Sequence, residues 1–277
     1  MHVKDVMNPS AIFIEVPGTR EQAMQKLKEK RISGLPVIRK GTKKIVGILT
    51  REDLFLHPDE DQLALIMNSN VVTISPDSSL EECVKIMLEK RYRRLPVASN
   101  GDLKGIIAVG DVIGNVIAKS ESKLKVKDFM RTSIFGIWGN TPVYIASRVM
   151  RLSNENVALV IDNEEQIAGI VSNADLMDLG EVRIEETKSV LKSGSESQEW
   201  DWETSSVLYI TKGKIALPKI PLHEVMVTPC ITITENESIK DCASKMRQHN
   251  VDQLPVVGTR NEILGIIFDL DLLKSLF

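Results

Sequence analysis

Four carboxylates stand at one register of the 277-residue sequence. Asp53, Asp111, Asp175 and Asp271 each lie six residues after the glycine of a short apolar run, IVGIL, LKGII, IAGIV or ILGII. Two have a hydroxyl three residues earlier, Thr50 in TRED and Ser172 in SNAD; Ala108 and Phe268 take that place in the others. A hydroxyl and a carboxylate three apart at the head of a helix have near-capping-box spacing, in which each satisfies a free backbone N–H. Arg93 and Arg94, in KRYRR, stand just before the phrase LPVA. A guanidinium fork pairs two phosphate oxygens, although a solvated basic turn has the same composition. At the matching places of the last repeat stand Asp252 and Gln253.

The remaining reactive side chains form no set. Cys83 and Cys242 share a register with Ala23 and Ala146, which marks them as small core residues, and Cys230 stands alone. His2, His57, His223 and His249 sit in four unrelated contexts with no ligand spacing, so no metal site is expected. There is no nucleophile, base and acid in any one segment, and no catalytic residue is expected. Thirty-five Lys and Arg against 38 Asp and Glu leave a net charge of −3, and KEKR and KRYRR are only local patches. That balance gives no reason to expect nucleic acid or an anionic membrane as partner. No apolar run nears the ~20 residues that span a bilayer; the best, GIIAVGDVIGNVIA, is interrupted by Asp111 and Asn115. With no signal-peptide pattern and three sparse cysteines, a cytoplasmic location is expected.

A four-fold internal repeat must position these residues. Each unit opens on Met7, Met67, Met130 or Met226; sixteen residues later comes Ala23, Cys83, Ala146 or Cys242, and thirteen further Pro36, Pro96, Leu159 or Pro255. The units occupy 1–60, 61–120, 121–180 and 222–277, with an insert at 181–221. Each reads as strand, helix, strand, strand, helix. In the second, IMNSNVVTIS is an extended run. The apolar residues Leu80, Cys83, Val84, Met87 and Leu88 then mark one helix face, with Ser78 and Glu81 at its head. Thr141 and Pro142 are the expected N-cap and first helical residue in the third. The insert reads as a polar, mobile or loosely helical first half, EVRIEETKSVLKSGSESQE, and a hairpin turning at Lys212-Gly213. Trp200 and Trp202 are read as folding that hairpin over a sheet edge, or as anchoring a partner or a second copy. One unit cannot bury both faces of so small a sheet, so the units should pair.

The Met phrase, the LPV strand and the G-h-h-T-x-x-D turn together resemble the cystathionine-β-synthase-type (CBS) domain over nearly the whole chain outside the insert. The third unit departs from the pattern by lacking the proline of the LPV strand. The resemblance implies an α+β fold of four β-α-β-β-α repeats, paired through their sheets into two Bateman modules, an organisation similar to the γ subunit of AMP-activated protein kinase. It implies a non-catalytic, regulatory protein that binds an adenine nucleotide (AMP, ADP or ATP) and signals to a protein partner. Self-association of the modules, within the chain or in a homodimer, is also implied. The ribose would be held by Asp53 and Asp175, each acceptor-only and therefore suited to a diol's two donors, with help from Thr50 and Ser172. Ile48, Leu49, Val72 and Ile231 complete the pocket, with Val72 against the adenine, and Arg93 and Arg94 reach phosphate in the cleft built around Thr50 and Asp53. One competent cleft per module follows, from the first and third units. Asp252 would repel phosphate, so the Ser172/Asp175 cleft would stay empty or take S-adenosylmethionine or methylthioadenosine. Sensing of those two ligands, or nucleic-acid binding, are the alternatives.

Overall fold

The computed structural model describes residues 1–30, 32–57, 59–191, 206–260 and 262–277. At the centre of each repeat lies the LPV-type strand: Gly34–Arg39, Arg94–Ser99, Val157–Ile161 or Gln253–Val257. Rich in β-branched residues and without polar alternation, these strands are buried on both faces. Each pairs antiparallel with the strand that carries the repeated glycine: Ile45–Thr50, Asp102–Ala108, Ile167–Ser172 or Ile263–Phe268. A parallel first strand completes three of the sheets, Ile14–Val16, Gly136–Trp138 and Ile233–Thr234. In the second repeat the extended run expected over IMNSNVVTIS reduces to two isolated bridges, Asn68 to Ile48 and Ile74 to Val97, and the short helix Leu63–Ile66 leads into it.

The long helices Arg20–Glu29, Leu80–Lys90, Val143–Leu152 and Ile239–His249 lay one apolar face on these sheets, and Ala23, Cys83, Ala146 and Cys242 are fully buried there. Two helix starts differ from the sequence reading. The Ser79 hydroxyl, not that of Ser78, caps Leu80–Lys90 by accepting from the Glu82 N–H. Pro142 rather than Thr141 occupies the N-cap of Val143–Leu152, without a side-chain bond. Ser78 and Ser79 are equal in capping ability and are separated only by where the chain enters the helix, which tertiary packing decides.

Repeats one and two exchange their leading segments, as do three and four. Asn8 bridges Ile106 and Asn68 bridges Ile48; Arg131 bridges Ile266 and Val227 bridges Ile170. This exchange explains the matched Met and Gly. A Cβ on Gly105 would lie 2.6 Å from the Asn8 carbonyl oxygen and 3.1 Å from the Met7 sulfur. Met67 lies against Gly47, Met226 against Gly169 and Met130 against Gly265 in the same way. The two pairs then meet. Repeats two and four share one core, in which Val109, Val112 and Ile113 pack with Cys242, Ala243, Met246 and Leu272. Repeats one and three are joined by Arg51, whose Nη1 lies 3.1 Å from Asp178 Oδ1.

The insert departs from expectation in both halves. Glu181–Leu191, read as polar and loosely helical, is a strand; it pairs antiparallel with Ser206–Ala216 from Glu181↔Ala216 to Leu191↔Ser206. Lys212-Gly213 lies within that second strand rather than at a turn, paired with Glu185 and Ile184. Trp200 and Trp202 lie outside the described residues.

Candidate functional site

At the meeting of the four repeats lies a cleft of about 590 Å³. The residue three before the Pro or Leu of each central strand lines it: Ser33, Arg93, Asn156 and Asp252. The walls also carry the last-helix starts of repeats one and three, Thr50 to Asp53 and Ser172 to Ala174. Of the residues singled out in the sequence, Ile48, Thr50, Asp53, Val72, Arg93, Arg94 and Ser172 line this cleft. Leu49, Asp175 and Ile231 do not. Leu49 is fully buried in the core of repeat one, because strand alternation sends it to the opposite face from Ile48 and Thr50. Ile231 packs on the core shared by repeats two and four. Thr50, Asp53 and Ser172, expected in two separate clefts, here share the walls of one cavity with Asp252.

The capping reading of T-x-x-D and S-x-x-D holds in the fold. Asp53 Oδ2 accepts from the Thr50 N–H and hydroxyl, both at 2.7 Å, and Thr50 Oγ1 accepts from the Asp53 N–H at 3.2 Å. Ser172 and Asp175 repeat the arrangement, with Asp175 Oδ2 accepting from the Ser172 N–H and hydroxyl at 2.7 Å. The cap uses only one oxygen of Asp53. Oδ1 has no hydrogen bond among the described residues, so helix capping and ligand binding are compatible at this carboxylate.

The other two repeats are built differently. Asp111 Oδ2 accepts only from the Ala108 N–H at 2.8 Å, and burial raises its pKa. Asp271, 1% exposed, is held by Arg131 Nε at 2.8 Å and Lys274 Nζ at 2.8 Å, while the Arg131 guanidinium lies 4.5 Å from the Phe268 ring centre. Protein cations therefore occupy the fourth acid, and neither carboxylate lines the central cleft.

Both arginines of KRYRR reach the cleft already engaged. Arg93 Nη2 donates to Asp269 Oδ2 and lies 2.7 Å from Asp252 Oδ1, so two acids of repeat four hold it. Burial opposes the Arg93 charge, but the bonds to Asp252 and Asp269 outweigh it and hold the guanidinium above its ordinary range. Burial pushes the Asp269 carboxyl up to about 6 despite Arg93 beside it; at neutral pH the pair is charged. Arg94 donates to the Gly34 carbonyl at 3.2 Å and to the Ser33 hydroxyl, and has no carboxylate partner among the described residues. Burial, then the neighbouring Arg93 charge, lowers its pKa, which leaves it a cation in need of an anion.

Four guanidiniums, Arg51, Arg91, Arg93 and Arg94, line the cleft, and Glu52, Asp53 and Asp252 line it too, with Asp178 and Asp269 holding Arg51 and Arg93. Only Arg91 and Arg94 lack an ion pair among the described residues. Sequence reasoning missed Arg91, Asp269 and the Arg51–Asp178 link. The repeat register contained a signal for the cleft itself, because its four equivalent positions before the central strands converge there. No group of His, Cys, Asp and Glu among the described residues is arranged to hold a metal ion. Burial raises the thiols of Cys83 and Cys242 to about 12 and that of Cys230 to about 11, which keeps them unreactive near neutral pH. Among the described residues no helix is long and apolar enough to cross a membrane.

The family model of the CBS domain matches residues 3–59, 62–118, 126–181 and 222–277. The chain belongs to the CBS-domain family. Its four CBS repeats pair into two modules. The protein MJ1225 of Methanocaldococcus jannaschii is 23% identical over 98% of this chain and 97% of its own length. The crystal structure of MJ1225, described as a proposed archaeal homologue of γ-AMPK, has a TM-score of 0.77 at 20% identity, with both chains fully covered. A crystal structure of a conserved protein from Pyrococcus horikoshii has a TM-score of 0.68 at 26% identity, again over both whole chains. MJ1404, also from M. jannaschii, is 24% identical over 98% of this chain, which spans 61% of that relative.

Proposed function

We propose that this CBS protein is a non-catalytic regulator that binds an adenine nucleotide in the central cleft and passes its occupancy to a protein partner. One observation supports this above others: a single cleft carries Thr50 and Asp53, the apolar Val72, and the unpaired guanidinium of Arg94. Asp53 Oδ1 accepts from the ribose hydroxyls, Val72 and Ile48 flank the base, and Arg94 takes phosphate. The volume lies within the ~300–1,000 Å³ usual for small-molecule sites. A ligand touching several repeats favours the arrangement in which they are drawn together, and a partner that senses that arrangement reads the ligand. The description of MJ1225 as related to γ-AMPK agrees with this role. The exposed Tyr144, Ile145, Val149 and Leu152 of the helix Val143–Leu152 leave an apolar face for a homodimer.

The carboxylates Glu52 and Asp252 on the same walls favour a second reading, a neutral or cationic adenosine derivative such as methylthioadenosine or S-adenosylmethionine. Calorimetry with AMP, ADP, ATP and these two compounds separates the readings. An adenine nucleotide that binds tightest, and weakens in Arg94→Ala, supports the first. Tighter binding of the two derivatives supports the second. If none of the five binds, both are refuted.

A further inference from the structure

We infer that the cleft is selective for a nucleoside monophosphate over a triphosphate, and that Asp252 and Asp269 impose this by holding Arg93 away from phosphate. The inference rests on the proposed function and adds the ligand's charge class. A triphosphate brings about four negative charges near neutral pH and needs a surplus of cations. Once Asp178 and Asp269 are counted with Glu52, Asp53 and Asp252, five carboxylates stand against the four guanidiniums of the cleft, so the described residues supply no such surplus even with Arg91 and Arg94 unpaired. Its paired guanidiniums are committed across the repeats, Arg51 to Asp178 and Arg93 to Asp252 and Asp269.

The commitment of Arg93 is strong. Asp269 is 5% exposed, and its other oxygen accepts from the Leu270 N–H at 2.7 Å, so the carboxylate is fixed at the head of the last helix. Asp252 adds a second carboxylate that lines the cleft itself. One cation shared by two acids leaves this corner with excess negative charge, facing the place a longer phosphate chain would reach. Arg94, one residue on, has no carboxylate partner among the described residues; its Nη1 and Nη2 each give one N–H to Gly34 and Ser33, and its remaining N–H groups can pair with one phosphate group. Repeat two thus supplies two adjacent arginines of opposite fate: Arg94 binds, and Arg93 is withheld. Freeing Arg93 by removing its acids should convert a monophosphate site into one that accepts longer chains.

The test is calorimetric titration of the full chain with adenosine, AMP and magnesium-free ATP. The wild type is expected to bind AMP at least tenfold more tightly than ATP. Asp252→Asn is expected to raise ATP affinity at least tenfold and AMP affinity by less, and Asp269→Asn to do the same. Asp252 is a half-exposed surface acid, so its variant carries the test if Asp269→Asn fails to fold. Arg94→Ala should lose AMP affinity while keeping that for adenosine. ATP binding tighter than AMP in the wild type, or an unchanged AMP-to-ATP ratio in Asp252→Asn, overturns the inference and leaves the proposed function standing. Failure of adenosine, AMP and ATP alike to bind overturns the proposed function itself.

Discussion

Asp53 does two things with its two oxygens, and a paired substitution separates them. Oδ2 accepts two bonds from Thr50 at 2.7 Å and so caps the helix Arg51–Leu56. Oδ1 has no hydrogen bond among the described residues, and in the proposed function it accepts from the ribose. Asp111 stands at the same register, caps Val109–Asn115 through the Ala108 N–H, and does not line the cleft. Replacing either acid with alanine removes a cap, which costs about 0.5–2 kcal/mol of stability. Only Asp53→Ala also removes the charge-assisted acceptor for the ribose. Such a bond contributes about 1.5–3 kcal/mol, which is tenfold to more than a hundredfold in affinity. Urea denaturation of the two variants should therefore show similar losses of stability. Titration with AMP should show at least tenfold weaker binding for Asp53→Ala and wild-type affinity for Asp111→Ala. Equal affinities in the two variants would refute the assignment and reduce Asp53 to a helix cap.

Two further outcomes follow from the packing. Gly105→Ala places a methyl 2.6 Å from the Asn8 carbonyl and 3.1 Å from the Met7 sulfur, across the joint between repeats one and two; about 1–3 kcal/mol of stability should be lost by chemical denaturation. Gly110→Ala, in a helix with open space around it, is the control and should be neutral or stabilising; equal effects would contradict the Met–Gly account. Burial pushes the Asp269 carboxyl up to about 6 from an ordinary 3.8. The folded form therefore holds this proton more tightly, so the contribution is fully present below about pH 4 and is lost as pH rises through about 6. Wild type should therefore gain stability relative to Asp269→Asn between about pH 7 and 4.5, and parallel pH curves for the two proteins would contradict it.

What the sequence made legible was local or repeated. Four glycines, four methionines and four acids in register announced the repeats, because each performs the same contact four times. T-x-x-D announced the caps because its partners are three residues apart. The charge arrangement of the cleft was not legible. Arg93 meets Asp252 and Asp269, both more than 150 residues away, and no local pattern tells a committed arginine from a free one. Lys212-Gly213 has turn composition, yet it sits in a strand because long-range pairing with Glu185 and Ile184 overrides local preference. That Thr50 and Ser172 line one cavity depends on how the modules pack, through the apolar face shared by repeats two and four.

The most direct measurement is a crystal structure of the full chain grown with AMP. The account predicts one nucleotide per chain in the central cleft, its ribose hydroxyls on Asp53 Oδ1 and its phosphate on Arg94, with Arg93 still bound to Asp252 and Asp269. A nucleotide seated elsewhere, or a central cleft that stays free of it at saturating AMP, would contradict it.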